Sequence, residues 1–282
     1  MKPTSVKFYD HINLTDDEIK QIFDGVFLPG EPVNIKIHFG EPGNTTAFTP
    51  EIVRPYIDAL NEMGFKTVLW DCPVFYPSPR KTKKGYEKVV RKKGFMDLTN
   101  CEICNEYDSF ELHDGEVAEI SKMLTEAKNL LVLTHVKGHP CAGFGATIKN
   151  IGIGASSPKT KGLIHQMRNL LQHFGWDPDR LGEVVAKGWK HMPREHFLAI
   201  NIIRDVTKHC DCVGHTTPII APDLGVLVSN NVVAIDQASL DMIENATRKG
   251  IFFEKNGIDP QLGIDATAKY SGLTKEYRLK KM

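Results

Sequence analysis

The chain lacks the marks of several large protein classes. No apolar run reaches membrane-spanning length, so no association with membrane is expected. The opening residues, MKPTSVKFYDHINLTDDEIK, contain no apolar segment of the secretory type, and a cytoplasmic location is expected. Only six cysteines occur in 282 residues. That is too few for a disulfide scaffold, and in a reducing compartment they are free thiols or metal ligands. Lys plus Arg and Asp plus Glu both number 35, so the formal net charge is zero and broad attraction to nucleic acid is not expected. One basic stretch, RKTKKGYEKVVRKK from Arg80 to Lys93, reads first as a solvated helix face. Its alternative reading is a binder of phosphate or carboxylate. Tandem repeats, low-complexity tracts, a Walker loop, a Rossmann glycine fingerprint and a ferredoxin-type cysteine run are all missing.

What is present is a strand–helix alternation. Thr15 is placed to cap a helix over Asp16 to Phe23. VNIKIHF (Val33 to Phe39) alternates as a strand does, and ends in the turn GEPGN. A helix is expected from Pro50 to Met63, with Gly64 beyond its end. Lys66 to Trp70 is a second strand ending at Asp71. Further helices are expected over Lys84 to Lys93 and Gly115 to Ala127. Leu130 to Leu133 reads as a buried strand. Leu163 to Phe174 is expected to be helical, and Trp176 to Pro193 reads as a loop-rich connection. Phe197 to Val206 fits either helix or strand. Strand-like pieces follow over Pro218 to Val228, then a helix over Val232 to Ala246. The polar tail after Gly250 is expected to pack peripherally. This order predicts an α/β fold with a mainly parallel sheet flanked by helices. The whole chain, 1–282, is expected to form a single α/β unit, with 1–165 and 166–282 as candidate lobes.

Chemistry concentrates after the LLVL strand. His135, Lys137, His139 and Cys141 come first, then a glycine-dense turn, then Lys149, and finally His165. Ligand sites of open α/β sheets lie at such strand ends. Imidazoles bind borderline metals and move protons near neutral pH, so His135, His139 and His165 are candidate metal ligands. Gly138 and Pro140 argue for a loop rather than a helical His-x-x-x-His pair. Gly143 and Gly145 let backbone approach a ligand closely. Lys149 can serve as tether, base or anion clamp.

A second group is His209-Cys210-Asp211-Cys212 with His215, where Cys210 and Cys212 are candidate soft-metal ligands. Cys101 and Cys104 (CEIC) could complete a four-cysteine centre if the fold joins the two pairs. Asp223, Asp236 and Asp241 sit near turns, and one of them could orient a metal-bound histidine. His38 and Glu41 follow the first of the parallel strands, and Asp71 and Arg80 follow the next. Loops of parallel strands share an edge, so His38 is a candidate catalytic group and Arg80 a candidate partner for an anionic carboxylate.

The segments KIHFGEPGN, HVKGHPCAGFGATIKNIGIG, HCDC and DLGVLVSNNVVAIDQASLD resemble a family of domains of unknown function usually labelled iron–sulfur centre proteins. Many of its members carry a ferredoxin-like insert after the histidine matching His165, and this sequence has no such insert. The label implies an iron–sulfur cluster. A more distant similarity is to the nickel-pincer lactate racemase family. His139, AGFGATIK ending at Lys149, and His165 follow that family's order and gaps. The similarity implies a lactate-racemase-like fold, His139 as acid/base, Lys149 as tether of the nickel-pincer nucleotide, and His165 as metal ligand. The family's second acid/base histidine has no match in WDCPVFYPSPR, and HFGEPGN replaces its Asp-x-Thr-Arg-Pro motif.

Together these readings point to a metal-dependent enzyme of redox or isomerase type, using Fe, Ni or Zn on a small anionic molecule. Its catalytic candidates are His139, Lys149 and His38. The alternative is a non-catalytic iron–sulfur or metal-binding electron carrier.

Overall fold

The computed structural model describes residues 2–166 and 175–282. Its strands are β1 (Thr4–Tyr9), β2 (Val33–Lys36), β3 (Thr67–Asp71), β4 (Asn100–Ile103), β5 (Tyr107–Glu111), β6 (Val117–Ser121), β7 (Asn129–His135), β8 (Lys137–His139), β9 (Gly143–Gly145), β10 (Phe197–Ile203), β11 (Val206–Thr207), β12 (Ile219–Ala221), β13 (Gly225–Ser229) and β14 (Tyr277–Lys281). Eight of them form one sheet in the order β14-β1-β13-β10-β7-β2-β3-β4. Only β13 runs against its neighbours; every other pairing in the sheet is parallel. The fold is therefore the mostly parallel α/β arrangement that the strand–helix order predicts. The sheet takes strands from both 1–165 and 166–282.

Burial on both faces explains why the central strands read as continuous apolar runs. β7 is buried along its whole length. Its Leu130 and Val132 enter one core, while Leu131 and Leu133 enter the other on the opposite face. Phe197 to Ile203, ambiguous in sequence, is β10; it lies parallel to β7 with Leu198 opposite Leu131. Its seven residues are all buried, which removes the polar alternation that would have identified a strand.

Several helices follow the sequence closely. Asp16–Phe23 starts with a complete capping box between Thr15 and Glu18. Pro50–Glu62 and Val232–Ala246 fall where the periodicity places them. Lys83–Lys92 buries Tyr86, Val89 and Val90 and leaves Lys84, Lys88, Arg91 and Lys92 exposed, a solvated basic face.

Other segments differ from expectation. Gly115 to Ala127 is not one helix: β5 and β6 pair antiparallel, followed by a single turn, Lys122–Thr125. Ala118 and Ile120 are buried while Val117 and Glu119, which alternate with them, are half-buried, a period of two rather than 3.6. Residues 176–193 are mostly helix, Pro178–His191, capped by Asp177 with Pro178 at its start. The next helix out of register is Pro158–Ile164, capped by Ser157, so the SSPKTKG stretch opens the helix rather than preceding it. The remainder of the expected Leu163 to Phe174 helix, 167–174, lies outside the described residues. The tail is not merely peripheral. Helices Ile251–Asn256 and Gln261–Ser271 bring Phe252 and Ile264 into the core, and β14 extends the sheet alongside β1. Among the described residues no helix is long and apolar enough to cross a membrane.

Gly182 shows why the glycines of Pro178–His191 misled the sequence reading. A Cβ there would lie 2.5 Å from the Ala266 carbonyl carbon, so the glycine lets two helices touch backbone to backbone. Helix propensity favours Gly182→Ala by roughly 1 kcal/mol, whereas forced overpacking costs about 1–3 kcal/mol. A clash with backbone has no side chain to yield, so the expected outcome is net destabilisation. A lower midpoint in urea unfolding checks this; an unchanged or higher midpoint would show that the helices separate freely.

Candidate functional site

The carboxyl ends of β2, β3 and β7 surround a cavity of about 110 Å³, and the loop between β11 and β12 closes one side of it. Into its lining fall His38, Arg80, His135, His139, Gly145, Lys149, His165, Cys210 and Cys212. These come from four stretches of sequence, joined because parallel strands put their following loops on one edge. Gly143 does not line the cavity. It turns the β8–β9 hairpin at φ +71°, where a Cβ would meet the Ile258 carbonyl oxygen at 2.5 Å. A Cβ on Gly145 would lie 3.1 Å from Cδ of Lys149, so this glycine makes room for the lysine stem.

Five cations gather here. Lys36, fully buried, donates to Asp71 Oδ1 at 2.8 Å, to Asn150 Oδ1 at 2.8 Å and to the Ile37 carbonyl at 3.0 Å. Asp71 also accepts from Tyr86 at 2.5 Å. Burial opposes ionisation of Asp71, but Lys36 and Lys161 hold its carboxyl below the usual range. Arg80 is equally buried, and donates through Nε to Glu41 at 2.7 Å and through Nη2 to Tyr76 at 2.5 Å. Its carboxylate partner is thus Glu41 of its own chain. Lys137 is ion-paired with Asp211 and lies 2.6 Å from His135 Nδ1.

Among the described residues the remaining two cations have no carboxylate in ion-pair distance. Lys161 donates to the carbonyls of Cys72 at 3.1 Å and Pro73 at 2.6 Å. Lys149 makes no hydrogen bond or ion pair among the described residues. Burial pushes both amines down to about 8.

The imidazoles are held neutral. Burial, reinforced by Arg80, keeps His38 well below its ordinary value. Its Nδ1 accepts from the Gly40 amide at 3.1 Å, and Arg80 Nη1 lies 3.0 Å from Nε2. His135 places Nε2 at 2.7 Å from the Arg204 carbonyl, which puts the ring proton on Nε2 and leaves Nδ1, also 3.1 Å from Asp211 Oδ2, to accept from Lys137. The ring stacks on Phe48. His139 Nδ1 accepts from the amides of Cys141 at 3.1 Å and Ala142 at 3.0 Å, so its proton also resides on Nε2. Burial lowers His139 strongly, with Lys149 next in effect. His165 stacks between Phe75 and His139, and burial followed by Lys149 pushes it to about 3.

One group could hold a metal. Ligand atoms of His139, Cys210 and Cys212 lie within 4.8 Å of one another, and two sulfurs with one imidazole suit a soft ion. The arrangement as it stands does not fit a resident ion. Cys210 and Cys212 are joined as a disulfide, and His139 turns Nδ1 toward two N–H donors, whereas a ligating imidazole donates from its other nitrogen. His135 and His165 fall outside this group. A four-cysteine centre is absent among the described residues: Cys101 and Cys104 line a separate cavity with Glu102 and Lys122. These donors therefore do not fit an iron–sulfur cluster. His209 and His215, flanking the cysteine pair, do not line the cavity.

The acidic candidates divide by location. Asp223 accepts from the Asp205 amide at 2.7 Å, and Asp241 from Tyr277 at 2.8 Å, both away from the cavity. Asp236 accepts from the Thr147 amide at 2.9 Å, the Ile148 amide at 2.8 Å and Asn201 at 3.0 Å. It orients the turn carrying Lys149 rather than a histidine. Lys36, Asn150 and Lys161 were not singled out by sequence, and Asp211 was named only as a member of the cysteine group, without a role. The only signal was a polar residue at the end of an apolar strand, as Lys36 is in VNIK.

Residues 33–241 match the family described as a domain of unknown function, DUF362, and the chain belongs to that family. No curated protein matches it. Among solved structures, a protein of Thermotoga maritima is similar at 9% identity and a TM-score of 0.44, over 69% of this chain and 52% of its own. The lactate racemase apoprotein from Thermoanaerobacterium thermosaccharolyticum is similar at 14% identity and a TM-score of 0.41, over 72% of this chain and 51% of its own. The chain thus spans about half the length of these structures.

Asp236 offers a test by pH. Burial raises its carboxyl from 3.8 to about 7. Because the folded value lies above the unfolded one, its contribution is fully present below about pH 4 and is lost as pH rises through 7. Asp236→Asn is therefore expected to cost more stability at pH 5 than at pH 8 in urea unfolding. An equal cost at both would show that the carboxyl titrates normally in the fold.

Proposed function

We propose that this DUF362 member is an enzyme that holds a small anion at the β2, β3 and β7 strand ends and performs proton-transfer chemistry on it, of isomerase or redox type. The observation that carries this reading is the pair Lys149 and Lys161, two ammoniums lining a cavity with no carboxylate to neutralise them. Lys161 is buried and Lys149 partly exposed to the cavity; a charge withdrawn from water without an ion-pair partner is expensive, and a bound anion offsets it. Lys149 is the group placed to exchange a proton with the ligand. Its amine, lowered to about 8, is accessible in both protonation states near neutral pH. Lys161 serves as a fixed clamp. His139, neutral with its proton on Nε2, is a hydrogen-bond donor for an oxygen that gains charge.

A second reading, metal-dependent chemistry, is favoured by the approach of His139, Cys210 and Cys212. It requires reduction of the disulfide and rotation of the His139 ring; Cys210 and Cys212 would then supply thiolates to an ion such as nickel, iron or zinc. After thiol reduction, equimolar Ni²⁺ or Zn²⁺ uptake that is lost in Cys210→Ser would support it. Uptake that is absent, or unchanged in that variant, would remove it.

Two outcomes are expected of the anion reading. Affinity for acetate, malonate or inorganic phosphate, measured by calorimetry, should weaken as pH rises from 7 to 9.5, because both ammoniums lose protons through about 8. Lys149→Ala should weaken it about tenfold or more, the scale of a charge-assisted hydrogen bond. Proton chemistry is tested by NMR in D₂O across small 2-hydroxy and 2-oxo acids. Protein-dependent exchange of a C–H proton that disappears in Lys149→Ala is the expected result, and exchange unaffected by that substitution would refute the assignment.

A further inference from the structure

The charges around the cavity can be counted residue by residue. Lys36 is matched by Asp71, Arg80 by Glu41, and Lys137 by Asp211. Lys149 and Lys161 are the surplus. Imidazoles add nothing to the count where their bonding fixes a neutral tautomer, as the Arg204 carbonyl does for His135 and two amides do for His139. Among the described residues the surplus is therefore two positive charges rather than one, from amines on different segments that line one cavity.

Hydrogen-bond capacity agrees with the count. An ammonium has three donors. Lys161 commits two of them to the Cys72 and Pro73 carbonyls and keeps one. Lys149 keeps all three. A singly charged ligand would leave one of these ammoniums without a counter-charge in a site largely withdrawn from water, where an unpaired charge is penalised. The volume of about 110 Å³ limits the ligand to a compact one.

We infer that the ligand of this cavity is a small dianion, held between Lys149 and Lys161. This rests on the anion reading above and adds the charge to it. Two kinds of molecule share this chemistry, a short dicarboxylate and a tetrahedral oxyanion such as a phosphate or sulfate group.

The test is calorimetry on the full chain at pH 7 with matched pairs: malonate against monomethyl malonate, and sulfate against methyl sulfate. At least one dianion is expected to bind about tenfold or more tightly than its singly charged match, and the pair that discriminates identifies the carboxylate or the tetrahedral source. Lys161→Gln is expected to erase the preference by weakening dianion binding more than monoanion binding. Equal affinities within both pairs, or preference for the monoanion, would overturn the dianion and leave the anion reading standing. No binding of any of the four would overturn both. The wild-type comparison needs no variant, so a Lys161→Gln chain that fails to fold does not remove the test; Lys149→Gln then takes its place.

Discussion

The Lys36 ammonium is the point on which the site depends. It leaves β2 pointing into a fully buried position and binds three things at once: the Asp71 carboxylate at the end of β3, the Asn150 amide in the turn after Lys149, and a carbonyl of its own strand. Asn150 continues the network by donating to the Leu133 carbonyl and the Thr134 hydroxyl of β7. One cation thus ties the ends of three adjacent parallel strands to the segment that carries the free lysine. A charge so deeply buried is tolerated only when its donors are satisfied, which makes the geometry of these groups mutually dependent.

Around this floor the protein separates charges that are spent from charges that are available. Arg80 is the instructive case. Its fork suits an anionic ligand in principle, yet Glu41, Tyr76, Tyr86 and His38 already surround it. It fixes the loop after β2 against the loop after β3. Lys137 and Asp211 do the same between the β8 hairpin and the cysteine loop. The loops bearing Glu41 and Asp211 also meet directly, through the Glu41 amide and the Asp211 carbonyl at 2.8 Å. What these pairs leave over is a cavity with cationic character and neutral rings.

Neutrality of the histidines has its own cause. Each ring is withdrawn from water beside at least one cation, and backbone groups decide which nitrogen keeps the proton. Imidazoles in such surroundings act as oriented dipoles and hydrogen-bond donors more readily than as bases. Metal binding at the cysteine pair would demand a different arrangement of the same residues, since the disulfide and the two amides on His139 Nδ1 occupy the donor atoms.

Much of the framework was legible in the sequence. Alternation of strands and helices gave a parallel sheet. Thr15, and Pro50 with Gly64, bounded helices through local capping and backbone rules that act within a few residues. The crowding of His135, His139, Lys149 and His165 pointed to the strand ends where these residues line one cavity, because a strand end followed by reactive residues is itself a local pattern. Period-two burial in β6 and the glycines of Pro178–His191 were misread, since their meaning lies in neighbours distant along the chain: Ala118 and Ile120 face a core, and Gly182 faces Ala266. Sequence determined which residue types reach the cavity. Tertiary structure alone decided which charges cancel, because Lys36 meets Asp71, Arg80 meets Glu41 and Lys137 meets Asp211 across strand ends and loops that no spacing rule connects.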